Sequence, residues 1–383
     1  MKLKSKNLKW LSRIMTVLML FTLVPNVLVS NANALENERG TSSEYEIYPI
    51  PQNVEYGDTN LSLGTEVNVV VEENIDDATI NRLLEVLSIK GINHEVSNEI
   101  KEGKTNFLIG IHNSNGVVDN YFTENNLNDT AHFENFDAHI LSVKDNVVAV
   151  LGKDTDAAFY GITTLKLIFK QVEGNEIRNL VIKDYSDGQW RGFIEGYYGI
   201  PWSNENRMSL MEFGGDFKMN AYIFAPKDDE YHSLKWRDPY PAEKLAEIEE
   251  LVEVGSATKN KFIWTIHPFL KDGMDFSTEE TYQAELEKII AKFEQLYNIG
   301  VRQFGVLADD AEGEAANQVK LMNDLEAWRL EKGDVYNLIF VPVEGGCVSA
   351  QPPFSAHATS FGISSAMESA ILWGSSSTRP MSR

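Results

Sequence analysis

The chain has 383 residues, 43% of them hydrophobic and 24% charged, which is the balance of a soluble globular protein long enough for two ordinary domains. Its net charge is −23 and it contains one cysteine, Cys347, so a disulfide framework is excluded. A nucleic-acid partner, whose phosphates must be met by Lys and Arg, is not expected, whereas a neutral glycan or glycoprotein suits such a surface.

At the N-terminus, Lys2, Lys4, Lys6, Lys9 and Arg13 precede an apolar run over residues 14–24, and Ala32-Asn33-Ala34 offers a small-residue cleavage site. This predicts a secretory signal peptide over residues 1–34, cut near Ala34, and hence a secreted protein. The run is too short for a membrane-spanning helix, which needs about 20 apolar residues, and Pro25-Asn26 interrupts it. Its removal takes away five positive charges and no negative ones, leaving a net charge of −28.

Residues 35–44 are polar, and residues 45–185 read as an N-terminal α/β domain. Residues 67–71 form a predicted strand, and Ile80, Leu83, Leu84 and Leu87 fall at helical spacing before Gly91. A strand follows at 107–111, then a hairpin from 138–143 and 147–151, then a helix over 154–169. From Trp190 the rhythm becomes strand, loop, helix. Strands are expected at 192–195, 221–225, 262–266, 304–307 and 338–341, with helices at 242–254, 279–297 and 315–330. Repeated βα units imply a parallel sheet, and the clustering of unusual residues after each strand favours a (β/α)8 TIM-type barrel. Residues 190–342 supply only about five of its eight strands.

Residues 343–383 depart from this pattern: they hold ten serines and no Lys, Asp, Asn or Tyr. Such a Ser-rich tail reads either as a linker or as the product of a truncation or frameshift after about residue 342.

Two carboxylates, Asp309 and Asp310, follow the strand at 304–307, where side chains project from the top of a barrel. Adjacent carboxylates are coupled, so one can hold a proton while the other stays ionised. The same residues, placed before Ala-Glu-Gly-Glu-Ala, would also serve as a helix N-cap. The seven histidines show no metal-ligand spacing, and His267, just before Pro268, reads as structural or exposed. Neither a P-loop nor a dinucleotide fingerprint is present, so no metal and no cofactor are expected.

Residues 191–202, Met219-Asn220-Ala221-Tyr222, residues 225–229, Tyr231-His232, Lys235-Trp236-Arg237, Pro239-Tyr240-Pro241 and the Asp309-Asp310 pair together resemble glycoside hydrolase family 84. That family comprises β-N-acetylglucosaminidases, including O-GlcNAcases and enzymes long labelled hyaluronidases. Upstream, Tyr48-Pro49-Ile50-Pro51, Asp137-Ala138-His139 and residues 152–165 resemble the α/β domain that precedes the barrel there. The resemblance implies retaining hydrolysis in which the substrate's 2-acetamido oxygen forms an oxazoline. It assigns Asp309 to the acetamido N–H and Asp310 to general acid and base catalysis. Gly196 would allow close approach of the sugar, and Lys227 would donate to a sugar hydroxyl. Read without the resemblance, Gly196 is a turn glycine and Lys227 a solvated lysine. After Pro342 the family continues Thr-Glu-Tyr, whereas this chain has Val343-Glu344-Gly345. Two rival readings are a catalytically inactive remnant that at most binds carbohydrate, and a family 20 hexosaminidase, whose catalytic pair is Asp-Glu.

Overall fold

The computed structural model describes residues 45–196, 200–270, 272–309, 311, 314–342 and 348–349. The expected signal peptide, Asp310, and the tail beyond Pro342 apart from residues 348–349 lie outside them. From Ile47 onward the described residues form one body, and that body contains two sheets.

The first sheet has seven strands: β1 (Asn53–Ser62), β2 (Glu66–Val71), β3 (Asn93–Val96), β4 (Asn106–Ile111), β5 (Phe136–Lys144), β6 (Val147–Gly152) and β7 (Glu176–Ser186). Their order is β1-β7-β5-β6-β4-β2-β3. The pairs β2–β3, β2–β4 and β4–β6 are parallel, and the β5–β6 hairpin is antiparallel as expected. Helices α1 (Asp77–Ile89), α2 (Val117–Glu124) and α3 (Thr155–Gln171) accompany it. Asp154 is the cap of α3 and not its first residue, accepting from the Ala157 N–H at 2.9 Å. Helix α3 packs on β5, β6 and α1. Twelve of its residues are buried, which explains an apolar pattern broader than one face.

The second sheet runs β8 (Gly192–Glu195), β9 (Ala221–Phe224), β10 (Lys261–Ile266), β11 (Phe304–Leu307) and β12 (Ile339–Val341), all parallel and in sequence order. The intervening helices are α4 (Asn204–Asp216), α5 (Ala242–Thr258), α6 (Glu279–Asn298) and α7 (Ala315–Lys332). This is a partial TIM-type barrel of five strands. At its start β8 lies so close to β9 that a Cβ on Gly192 would stand 1.7 Å from the Ala221 carbonyl oxygen, so only glycine fits. Between sheet and helices, Phe293 stacks on Phe304 at 4.5 Å and Trp328 meets both rings edge-on. Such pairs add about 0.5–1.5 kcal/mol each beyond the area they bury. On the far edge, the two-residue strand β13 (Val348–Ser349) pairs antiparallel with β12.

The feet of the barrel strands are charged and face the first sheet's elements. Arg191, just before β8, pairs with Asp137 at 2.7 Å, and Lys218, just before β9, pairs with Asp184 at 2.6 Å. Lys259 and Lys261, at the start of β10, reach Asp156 at 2.8 and 2.7 Å. Asp216, closing α4, receives Arg82 and Lys166, both at 2.5 Å. These contacts occupy the N-terminal ends of the strands and leave the C-terminal ends on the other side. That is the end where a barrel carries its chemistry.

Candidate active site

Four of the strand ends contribute polar groups. Strand β8 ends in Glu195, which is buried and gripped by Arg207 of α4 through two bonds of 2.8 and 2.9 Å. The Tyr222 hydroxyl of β9 donates to the same carboxylate. Gly196 follows: among the described residues an added Cβ would find nothing nearer than Ile194 Cγ1 at 3.6 Å. Packing among the described residues therefore does not demand a glycine there.

After β9 the chain passes Lys227, which is half-buried, and reaches Asp229. Asp229 accepts from the Tyr231 N–H at 2.8 Å and from the Tyr240 hydroxyl at 2.7 Å. Tyr240 in turn accepts from Trp264 Nε1 at 3.0 Å. Burial pushes the Asp229 carboxyl up from its ordinary range, against the pull of Tyr240 and Tyr231. Beneath this loop Lys292 of α6, itself buried, donates to the carbonyls of Tyr231 and Lys235. Burial lowers its ammonium to about 7, although Asp229 and Asp238 oppose the shift.

His267, whose side chain is 1% exposed, directly follows strand β10. Strand β11 delivers Ala308 and then Asp309, and the Ala308 N–H is bonded to the Val341 carbonyl at 2.8 Å, which keeps β11 in register with β12 up to the aspartate. The Asp309 side chain is 31% exposed, yet its Oδ1 is buried and has no hydrogen-bond partner among the described residues. His267 Nε2 lies 2.7 Å from the Asp309 backbone oxygen and 3.5 Å from Oδ1. Helix α7 starts at Ala315 with Glu314 as its cap. The cap of α7 is thus Glu314 and not Asp309, while Asp310 lies outside the described residues. His267, expected to be structural or exposed, is buried against Asp309.

Among the described residues no group of three His, Cys, Asp or Glu side chains is placed to hold a metal. No helix there is long and apolar enough to cross a membrane.

The profile of the beta-N-acetylglucosaminidase family matches residues 191–353, and that of glycosyl hydrolase family 20, domain 2, matches residues 44–185. Among solved structures, CpGH84D is 78% identical, with a TM-score of 0.77 over 78% of this chain and 50% of its own. The chain belongs to glycoside hydrolase family 84. A second family 84 structure, CpGH84B, is 32% identical with a TM-score of 0.67, covering 79% of this chain and 51% of its own. The protein O-GlcNAcase of Rattus norvegicus is 32% identical over 119 residues, which is 31% of this chain and 12% of that protein. The chain thus spans about half the length of its solved relatives. Family 84 membership agrees with the resemblance carried by the strand-end motifs, and the family 20 match is confined to the leading domain.

The supporting roles of Glu195 with Arg207 and Tyr222, of Asp229 with Tyr240, and of His267 are not assigned by sequence reasoning. Arg207 stands 12 residues from Glu195 and Tyr222 27. The one available signal was a charged or titratable residue closing an apolar run, as in Gly192-Phe193-Ile194-Glu195 and Trp264-Thr265-Ile266-His267.

Proposed function

We propose that this chain is a secreted β-N-acetylglucosaminidase that releases β-linked N-acetylglucosamine from glycans or O-GlcNAc-modified proteins, with retention of configuration. The observation that carries the reading is Asp309: a carboxylate at the end of a barrel strand, partly open, with one buried oxygen unengaged by the described residues, in a chain 78% identical to a family 84 structure.

In this mechanism the 2-acetamido oxygen attacks the anomeric carbon as the glycosidic bond breaks, and Asp310 protonates the departing oxygen. Asp309 accepts the acetamido N–H and steadies the positive charge that develops on the oxazoline ring. Asp310 then takes a proton from water as that water opens the ring. No protein nucleophile is needed, so two neighbouring carboxylates suffice where a conventional retaining enzyme places two across the bond about 5 Å apart. Lys227 donates to a sugar hydroxyl, and Gly196 leaves room for the ring. The chemistry calls for no metal or cofactor.

The test is hydrolysis of an aryl β-N-acetylglucosaminide by the full chain, by Asp310→Ala and by Asp309→Asn. Each variant is expected to lose about 10²–10⁴-fold in kcat, and NMR is expected to show the β-anomer of the product first. Release of the α-anomer would sink the mechanism. Export is checked by N-terminal sequencing of protein from the medium, expected to start near Leu35.

A second reading, a chain that binds N-acetylglucosamine without cleaving it, draws on β13. It pairs Ile339 with Ser349 and Phe340 with Val348, along the edge that a sixth parallel strand of a barrel needs. Saturable sugar binding with no turnover would favour it.

A further inference from the structure

We infer that His267 is a positioning residue for Asp309: its Nε2–H holds the Asp309 backbone carbonyl and lies against the Asp309 carboxylate, fixing where that carboxylate meets the substrate. The inference rests on the acetamido-binding role proposed for Asp309.

The geometry leaves little choice of protonation. A carbonyl oxygen only accepts, so the nitrogen 2.7 Å from it must carry a hydrogen. In a neutral ring the other nitrogen, Nδ1, is then a lone pair, and it has no partner among the described residues. Here the described contacts of the ring nitrogens run to one residue, Asp309: its backbone at 2.7 Å and its Oδ1 at 3.5 Å. The main chain that carries the ring is itself held, because the His267 backbone N–H donates to the His232 carbonyl at 2.7 Å, tying the end of β10 to the turn formed by Glu230–His232. A rigid strand end thereby sets the position of a loop residue, which is the support a reactive carboxylate requires.

The charges around the ring favour its neutral form. Burial lowers the His267 imidazole below its ordinary range, Asp309 opposes that from the loop after β11, and Lys227 adds to it from the loop after β9. His232, also neutral because burial, helped by His267 and Lys227, lowers it to about 3, faces it from the turn. A neutral His267 leaves the Asp309 charge uncompensated, as an acceptor of an acetamido N–H needs. A protonated ring would make an ion pair and take that charge away.

Two measurements on the full chain test this. Long-range ¹H–¹⁵N spectra of the histidine rings, with His267 assigned from its loss in His267→Gln, are expected to show a neutral Nε2–H tautomer at pH 7. An Nδ1–H tautomer or an imidazolium there overturns the inference. Steady-state kinetics on the aryl glycoside are expected to show His267→Leu losing about 10–100-fold in kcat with KM changed by less than about threefold. His267→Gln, whose amide N–H reaches the same carbonyl, is expected to recover most of that loss. Full activity in His267→Leu, or equal losses in both variants with an unchanged melting temperature, overturns it as well. If the unmodified chain turns over no aryl glycoside, it is the proposed function that fails, and the tautomer still decides the assignment of His267.

Discussion

Lys218, at the foot of β9, donates to Asp184 of β7 over 2.6 Å, and both side chains are buried. His139 of β5 closes the cluster: its Nδ1–H donates to the Asp137 carbonyl at 2.8 Å, and its Nε2 stands 3.4 Å from Lys218 Nζ as an acceptor. A proton on this imidazole would set two cations against each other in a buried site. The barrel's foot is thus joined to the first sheet by a contact that a proton on His139 would weaken, with Asp184 Oδ2 at 3.6 Å offsetting only part of the cost.

Acid is therefore expected to loosen the protein before most carboxylates titrate. Burial, aided by Lys218, lowers His139 to about 3 from an ordinary value of 6.5. A base whose folded value is depressed is protonated first in the unfolded state, so its stabilising contribution is complete above about pH 6.5 and declines as pH falls towards 3. The decline is about 1.4 kcal/mol per pH unit for one such group. Thermal unfolding followed by circular dichroism between pH 7.5 and 4.5 is expected to show a falling midpoint. His139→Gln, which keeps an acceptor for Lys218 and cannot titrate, is expected to flatten the curve. An equally steep curve in the variant would count against the assignment.

The Glu195–Arg207 pair offers a second test. Both groups are buried, so Arg207→Met leaves a carboxylate stranded at the end of β8, and a loss of about 3–5 kcal/mol in urea unfolding is expected. Tyr222→Phe removes only the hydroxyl donor and is expected to cost about 1–3 kcal/mol.

Much of the fold was legible, because its elements announce themselves locally. The strands at 192–195 and 304–307 appear with their expected bounds, and the others in the second sheet differ by a residue. Strands β1 and β7 are a different case. Their pairing joins residues more than 100 apart, and β1 is largely exposed and polar, so it shows no clear alternation. The ionic clusters at the barrel's foot were hidden for the same reason: Lys259 and Asp156 meet only once both sheets are assembled. At the site, position could be read from sequence and support could not. Asp309 was identifiable from the strand it follows, whereas the ring that holds it comes from a strand 42 residues earlier.

Lys292 makes a prediction at the other end of the pH scale. Its ammonium is lowered by burial to about 7 from 10.5, so between these values the unfolded chain binds the extra proton and stability rises with pH. The gain attributable to this one group reaches roughly 5 kcal/mol at most over the whole interval. The difference in unfolding free energy between the unmodified chain and Lys292→Met, measured by urea titration at pH 7 and pH 10, is expected to shift towards the unmodified chain at the higher pH. A difference independent of pH would mean that Lys292 is paired or hydrated more than its surroundings indicate.

Gly192 and Gly196 sit four residues apart and should respond to the same substitution in opposite ways. Gly192→Ala drives a methyl group into the Ala221 carbonyl oxygen, 1.7 Å from the new Cβ. Because that oxygen belongs to the backbone of β9, the strands must part, and a loss of more than about 3 kcal/mol is expected. Among the described residues Gly196→Ala meets only Ile194, at ordinary contact distance, so its melting temperature is expected to stay within about 2 °C of the unmodified chain. If the sugar ring comes as close to Gly196 as the proposed role requires, the same methyl group raises KM for the aryl glycoside by at least about tenfold. A Gly196→Ala protein that melts normally and keeps its KM would place the sugar elsewhere and return Gly196 to the status of a turn residue.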